Sequence, residues 1–455
     1  MKRLTLALSV MLATFGLVPT APAAGVGNVA KEPGPGYFAT ANVEWLKNIP
    51  LNTDSAGARI LGNHLYVTED RGLTIWDITD PVSPLPVSFT PVPQTAYLTE
   101  EDVDTNGKVL VIGSYGELVG TNTPVSYVSV LDVSNKAAPE VVAQVPNADN
   151  HTFSCILDCS FVYGSAGVVI DLRDPANPVR VKNPDGANLD WRSGLGITTP
   201  HDVTEVAPGL VVTSSRPVKY LDVSDPLSPK EIAASEPWGD NRFIHGNLWP
   251  NAATDDFLLV GGETSGNCNQ TNSGAFMTFK VMRDDSDPEI PVKERPVTGF
   301  SLADEYRVAT GLPTEGNSPY DQYCAHWFTT HPAYRDGGVV ASGWYEHGTR
   351  FLNVTPSELD ADGNVVGGGE ITELGYFLPV GGSTSAAYWV TDEILYAIDY
   401  QRGIDILRFD PDAAPGPGQL LPAPPAFNVV PPSTPTGLVY DGPRRRGQYV
   451  CPLPI

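Results

Sequence analysis

One short pattern returns along the chain: alternating apolar residues, an Asp, one more apolar residue, then a turn containing Asp-Pro. It reads LTIWDITDP at 73–81, VSVLDVSNK at 128–136, VVIDLRDP at 168–175 and VKYLDVSDP at 218–226. Weaker copies follow as FMTFKVMRD at 276–284, TRFLNVTP at 349–356 and IDILRFDP at 404–411. The anchor position is Asp77, Asp132, Asp171 and Asp222, then Lys280, Asn353 and Arg408. Alternation with a period of two, bounded by Gly, Pro, Asn and Asp, makes strands rather than helices. Successive anchors lie 39 to 73 residues apart, room for about four short strands and their turns, which is one propeller blade. A chain of 455 residues would otherwise suggest about three domains of roughly 150 residues. The repeat argues instead for one all-β domain, a seven-bladed β-propeller over 37–411.

A strand pattern follows each good anchor, as in EVVAQVPN (140–147) and EIAASEPW (231–238). None follows the seventh, where the chain becomes PDAAPGPGQLLPAPPAF. The missing pattern stands before the first blade, as NVEWLKNIPL (42–51). The N-terminal strand is therefore expected to complete the last blade and remove the open sheet edge. Residues 412–455 read as a proline-rich, extended tail.

The four good anchors resemble the LVIVD-repeat β-propellers of exported bacterial proteins, over roughly residues 40–410. That resemblance implies fold and export, and carries no settled reaction. A looser likeness, in architecture and histidine placement, is to the selenium-binding and methanethiol-oxidase propellers, which would imply copper on channel histidines.

Export is also written at the N-terminus. Lys2 and Arg3 precede an apolar run from Leu4 to Val18 and the small-residue site Ala21-Pro22-Ala23, the form of a signal peptide over 1–24. The run is short for a membrane span, and no second long apolar segment exists. The expected location is secreted or cell-envelope. A formal charge of −25 repels phosphate backbones, so nucleic acid is a poor partner. A small-molecule ligand or a cell-surface protein is the expected partner.

Four of the seven histidines stand where the innermost strand of a blade begins: His151, His201, His245 and His326, in blades 3 to 6. In blade 2 the matching residues are Glu100 and Glu101, and in blades 7 and 1 they are Ala386 and Ala56. Imidazoles converging from adjacent blades suit a transition metal, copper or zinc foremost, with a carboxylate as a further ligand. The alternative for these histidines is a wet channel lining bonded to backbone and water. The turns between second and third strands, on the same face, bring Arg71, Arg216 and Arg402 to a rim that could hold an anionic group. Solvated turns and local salt bridges compete with that reading. His347, in the corresponding turn of blade 6, is a candidate acid or base. The expected function is metal-assisted oxidation or hydrolysis of a small polar substrate. The rival is a non-catalytic binding or interaction propeller.

Five cysteines in an exported chain read as disulfide material. Cys155 and Cys159 are close enough to staple a hairpin, and a zinc knuckle would need a second such pair nearby. Cys268 and Cys324 fall on the same face of neighbouring blades and are expected to pair, leaving Cys451 over. DADGN (360–364) lacks the twelfth-position Glu of a calcium loop and reads as a hairpin turn.

Overall fold

The computed structural model describes residues 36–424 except 52–54, 70–71, 93–97, 119–122, 147, 149–151, 199, 238–242, 264–273, 288, 309–323 and 401. The side chains of 56, 98–102, 114–118 and 123–125 also lie outside the description. The expected signal peptide, His151, Arg71, Cys268 and Cys451 fall outside it.

Among the described residues, seven antiparallel sheets of four or more strands follow one another along the chain. Blade 1 is Ser55–Leu61, His64–Glu69, Gly72–Asp77 and Leu85–Pro91; blade 5 is Phe243–Leu248, Phe257–Glu263, Phe276–Arg283 and Val297–Tyr306. In every blade the anchor pattern is the third strand. The anchor Asp ends that strand by capping the following turn: Asp77, Asp132 and Asp222 each accept the N–H two residues on at 2.8 Å, and Asp171 does so at 3.0 Å. This is an Asx turn, closed by the residue's own side chain. Hydrogen bonds to these carboxylates hold all four below their ordinary range. The repeated Asp is thus a turn former.

Third strands are apolar on both faces because each blade packs against two others. In blade 1, Leu73 and Ile75 enter a cluster with Leu110, Ile112 and Leu131 of blade 2. Trp76, of opposite parity, enters one with Ile49, Ile398 and Ile406 of blade 7. Equivalent clusters join every other neighbouring pair, so the core is a ring of inter-blade contacts around a central channel.

Blade 7 consists of Thr384–Trp389, Ile394–Asp399, Gly403–Phe409 and, as its outer strand, Val43–Ile49, paired from Val43 with Phe409 to Ile49 with Ile404. Blade 6 is larger than the sequence suggests. Its fourth strand Ile371–Pro379 pairs with Tyr37–Ala39, which pairs in turn with Gln419–Leu421. The first part of the proline-rich segment therefore belongs to the propeller, and the expected boundary at 411 is too early. Leu420 and Leu421 are adjacent in a strand of three residues, too short to carry a periodicity. DADGN forms the hairpin turn between Glu358–Leu359 and Val365–Gly367.

The turn between second and third strands recurs for its glycine. A Cβ on Gly72, Gly348 or Gly403 would lie 2.1–2.3 Å from a backbone carbonyl oxygen of the blade's own fourth strand. Only glycine lets the two chains approach so closely there.

Candidate metal centre

The first strand of each blade borders the channel. In blades 1, 2, 5 and 7 its pairing is interrupted near the start, between Ser55 and Ala58, Thr99 and Val103, Ile244 and Gly246, and Thr384 and Ala386. A bulge shifts a residue out of the ladder register and re-aims its side chain. In blade 5 that residue is His245. In blade 7 it is Ser385, one position before the Ala386 that an ungapped alignment selects. In blade 2 the interruption holds Glu100 and Glu101, whose side chains are outside the described residues. In blades 4 and 6 the histidine precedes the strand. His201 donates its backbone N–H to Ser214 at 2.8 Å, and His326 donates to Gly343 at 3.0 Å.

These placements bring three of the four expected histidines together. His201, His245 and His326 are 2, 0 and 0 % exposed. Ring centres are 4.0 Å apart for His201 and His245, and 3.9 Å for His245 and His326. His201 Nδ1 is 2.8 Å from the His245 carbonyl, and His326 Nδ1 is 2.5 Å from the Ser385 carbonyl. A carbonyl oxygen only accepts, so Nδ1 carries the proton in both rings and Nε2 keeps its lone pair. Metal-ligating histidines are oriented in this way.

The carboxylate that joins them was not among the expected ligands. Glu263 ends the second strand of blade 5 and is 3 % exposed. The ligand atoms of His245, Glu263 and His326 all lie within 4.8 Å of one another. Its signal was visible in GGETSGNC, a Glu at the strand end where blade 1 has Glu69, but nothing local distinguishes it from a turn residue. The Tyr345 hydroxyl donates to Glu263 Oε1. Tyr345 reaches there from blade 6 with φ of 47°, a left-handed conformation that costs a side-chain-bearing residue about 1–2 kcal/mol. Backbone bonds in both directions with Thr384 of blade 7, at 2.9 and 2.8 Å, hold it. Tyr400 stacks on Tyr345, and its hydroxyl is 3.4 Å from His326 Nε2.

The family model of the LVIVD repeat matches residues 54–88, the stretch that forms blade 1 from its first strand into its fourth. Blade 1 is one of the seven sheets described above. The chain is a seven-bladed β-propeller that carries an LVIVD repeat. No curated protein sequence matches it. Among solved structures, the computationally designed Ika8 protein is similar at 11% identity, covering 81% of this chain and 100% of its own, with a TM-score of 0.41, too low to carry any argument.

Other expected residues of the propeller take different places. His347 is not on an open rim but 1 % exposed. The turn from Trp344 to Gly348 folds onto itself through His347 N–H to Trp344 O at 2.9 Å and tucks between blades 6 and 7. Arg402 is 6 % exposed, paired with Asp405 at 3.0 Å and lying 4.9 Å over the Trp45 ring. It is part of the blade 7 interior and does not form a collar. Arg216 is half-buried in the turn of blade 4. Cys155 and Cys159 are bonded across the hairpin end, with Cα atoms 4.4 Å apart. Cys324 is disulfide-bonded and packs with Tyr345 and Tyr400 beside His326; its expected partner Cys268 is outside the described residues.

Asp202, next to His201, is 6 % exposed. Burial pushes its carboxyl up to about 6, against hydrogen bonds from Ser154, Val203 and Thr204 that pull it down. A native-state value above the unfolded one means that protonation favours folding. That contribution is complete below about pH 4 and lost as pH rises through 6. Asp202→Asn should therefore match the parent's stability at pH 4 and exceed it by about 2 kcal/mol at pH 7.5. Urea unfolding at the two pH values measures this; an equal difference at both would refute it.

Proposed function

We propose that this propeller is an exported protein that binds a transition metal through His245, His326 and Glu263, with His201 stacked behind them. The observation that carries the reading is the meeting of two buried imidazoles and a buried carboxylate within 4.8 Å. Two histidines and a carboxylate form the donor set of catalytic zinc and of open mononuclear redox sites. His326 and His201 present Nε2 because backbone carbonyls occupy Nδ1, and Tyr345 orients Glu263. The chemistry this supports is metal-assisted oxidation or hydrolysis of a small polar molecule, the metal serving as redox centre or Lewis acid. Export is supported by the signal-peptide sequence, and among the described residues no helix is long and apolar enough to cross a membrane.

The test is elemental analysis of the mature protein purified without chelator or affinity metal, beside a His245→Ala/Glu263→Ala variant. About one equivalent of copper, zinc or iron in the parent and none in the variant is expected. The element found then separates oxidative from hydrolytic assays. A parent that holds no metal and takes up none on titration overturns the proposal and leaves a non-catalytic binding propeller.

A further inference from the structure

Past the histidines the first strands continue along the channel and enclose a second space, of about 610 Å³. None of His201, His245 and His326 lines it, but the residues that follow them do: Asp202 and Thr204, Asn247, Trp327 and Thr329. Trp327 is the shared wall, its ring centre 4.8 Å from that of His245. Four carboxylates line the space, Asp104, Asp158, Asp202 and Glu205, against one guanidinium, Arg59. That guanidinium already pairs with Asp104 at 3.2 Å.

Two buried side chains there keep acceptor capacity in hand, while Trp327 and Trp389 each keep an indole N–H. Asn247 is 6 % exposed. Its Nδ2 donates to Val212 O at 3.2 Å and Ser214 Oγ at 2.7 Å, which fixes the orientation of the amide and leaves Oδ1 without a partner. A buried acceptor left in that state costs about 1–3 kcal/mol, and native proteins keep few of them. Asp202 accepts from Ser154 at 3.0 Å on Oδ1 and from Thr204 at 3.1 Å on Oδ2. The Val203 backbone N–H bonds the same carboxylate; two carboxylate oxygens offer about four acceptor sites, so about one remains. Thr204 Oγ1 also lies 3.2 Å from the Asn247 carbonyl, which brings the two residues to one place. The unspent capacity of this pair is all acceptor. A partner must bring N–H donors and, beside an excess of carboxylates, positive charge. Trp327, Trp389, Phe328 and Tyr388 supply aromatic wall, which favours a cation carried on an alkyl body over a hydrated inorganic ion.

We propose that this channel is a binding site for a small primary alkylammonium, held by Asp202 and Asn247 and separated from the histidines by Trp327. The site does not depend on the metal reading. n-Butylamine is the probe and 1-butanol its neutral isostere, titrated into the mature protein by calorimetry with tryptophan fluorescence in parallel. Saturable binding of one n-butylammonium is expected, with none of 1-butanol. Asp202→Asn should weaken it by about tenfold or more, as loss of a charged hydrogen-bond partner does. Asp104→Asn, as a second variant, should weaken it less. The His245→Ala/Glu263→Ala variant should bind as the parent does. The proposal is overturned if n-butylamine shows no saturation by about 10 mM, an affinity too weak for a built site. Equal binding of 1-butanol, indifference to both aspartate variants, or displacement of the amine by low calcium would each overturn it too.

Discussion

Replacing Asp405 by alanine should cost the propeller about 3–5 kcal/mol, because it strands a buried guanidinium. Asp405 and Arg402 are 0 and 7 % exposed at their side chains and meet at 3.0 Å. Burial lifts the Asp405 carboxyl to about 6, and the neighbouring Arg402 charge holds it down from rising further. Asn48 donates to Asp405 Oδ1 at 2.8 Å and to the Arg402 carbonyl at 3.2 Å. Asn48 and Trp45, whose ring lies under Arg402, both belong to the strand Val43–Ile49 that completes blade 7. The pair therefore bonds the two ends of the chain to each other. Urea unfolding of Asp405→Ala should show the loss, and hydrogen exchange should quicken at residues 43–49 before the rest of the sheet. An Arg402→Met/Asp405→Leu double variant should be close to neutral, since it removes both charges and their desolvation together. A loss under about 1 kcal/mol in the single variant would mean that water reaches the pair.

Tyr345→Phe should weaken metal binding by about 10–100-fold, the usual effect of removing a group that orients a ligand. Glu263→Gln should weaken it more, since the amide is a poor ligand for copper or zinc. Competition against a chromophoric chelator measures both. Tyr345→Phe keeps the ring that stacks on Tyr400 and contacts His326, with centres 4.7 Å apart, so stability should barely change while affinity falls. A variant that melts earlier yet binds metal as before would make Tyr345 a packing residue. The left-handed backbone at Tyr345 fits the first outcome, because strain of this kind persists where a side chain must be aimed.

The histidines were legible because each blade is one unit laid out in order. Aligning HGNLWPNAATDDFLLVGG with HWFTTHPAYRDGGVVASG puts His245 and His326 at one register, and their ring centres meet at 3.9 Å. The same alignment erred by one residue in blade 7, where the bulge falls on Ser385, because a bulge shifts register without changing the apolar pattern. The turn arginines misled for a related reason. Arg71 and Arg402 each precede a glycine whose Cβ the fourth strand excludes, while Arg216 precedes Pro217, and Arg402 turns inward to Asp405.

What the sequence determined by itself is whatever acts over a few residues. The period-two alternation makes strands, and the anchor Asp closes its own turn two residues on. The spacing of anchors counts the blades. What only the tertiary structure decided is which side chains from separate blades meet. Glu263 reaches His326 across the packing of blade 5 on blade 6, Tyr345 is aimed by its bonds to blade 7, and Asp202 and Asn247 meet through Thr204. Such meetings depend on the pitch and closure of the whole ring, and no local pattern in the chain encodes a distance between blades.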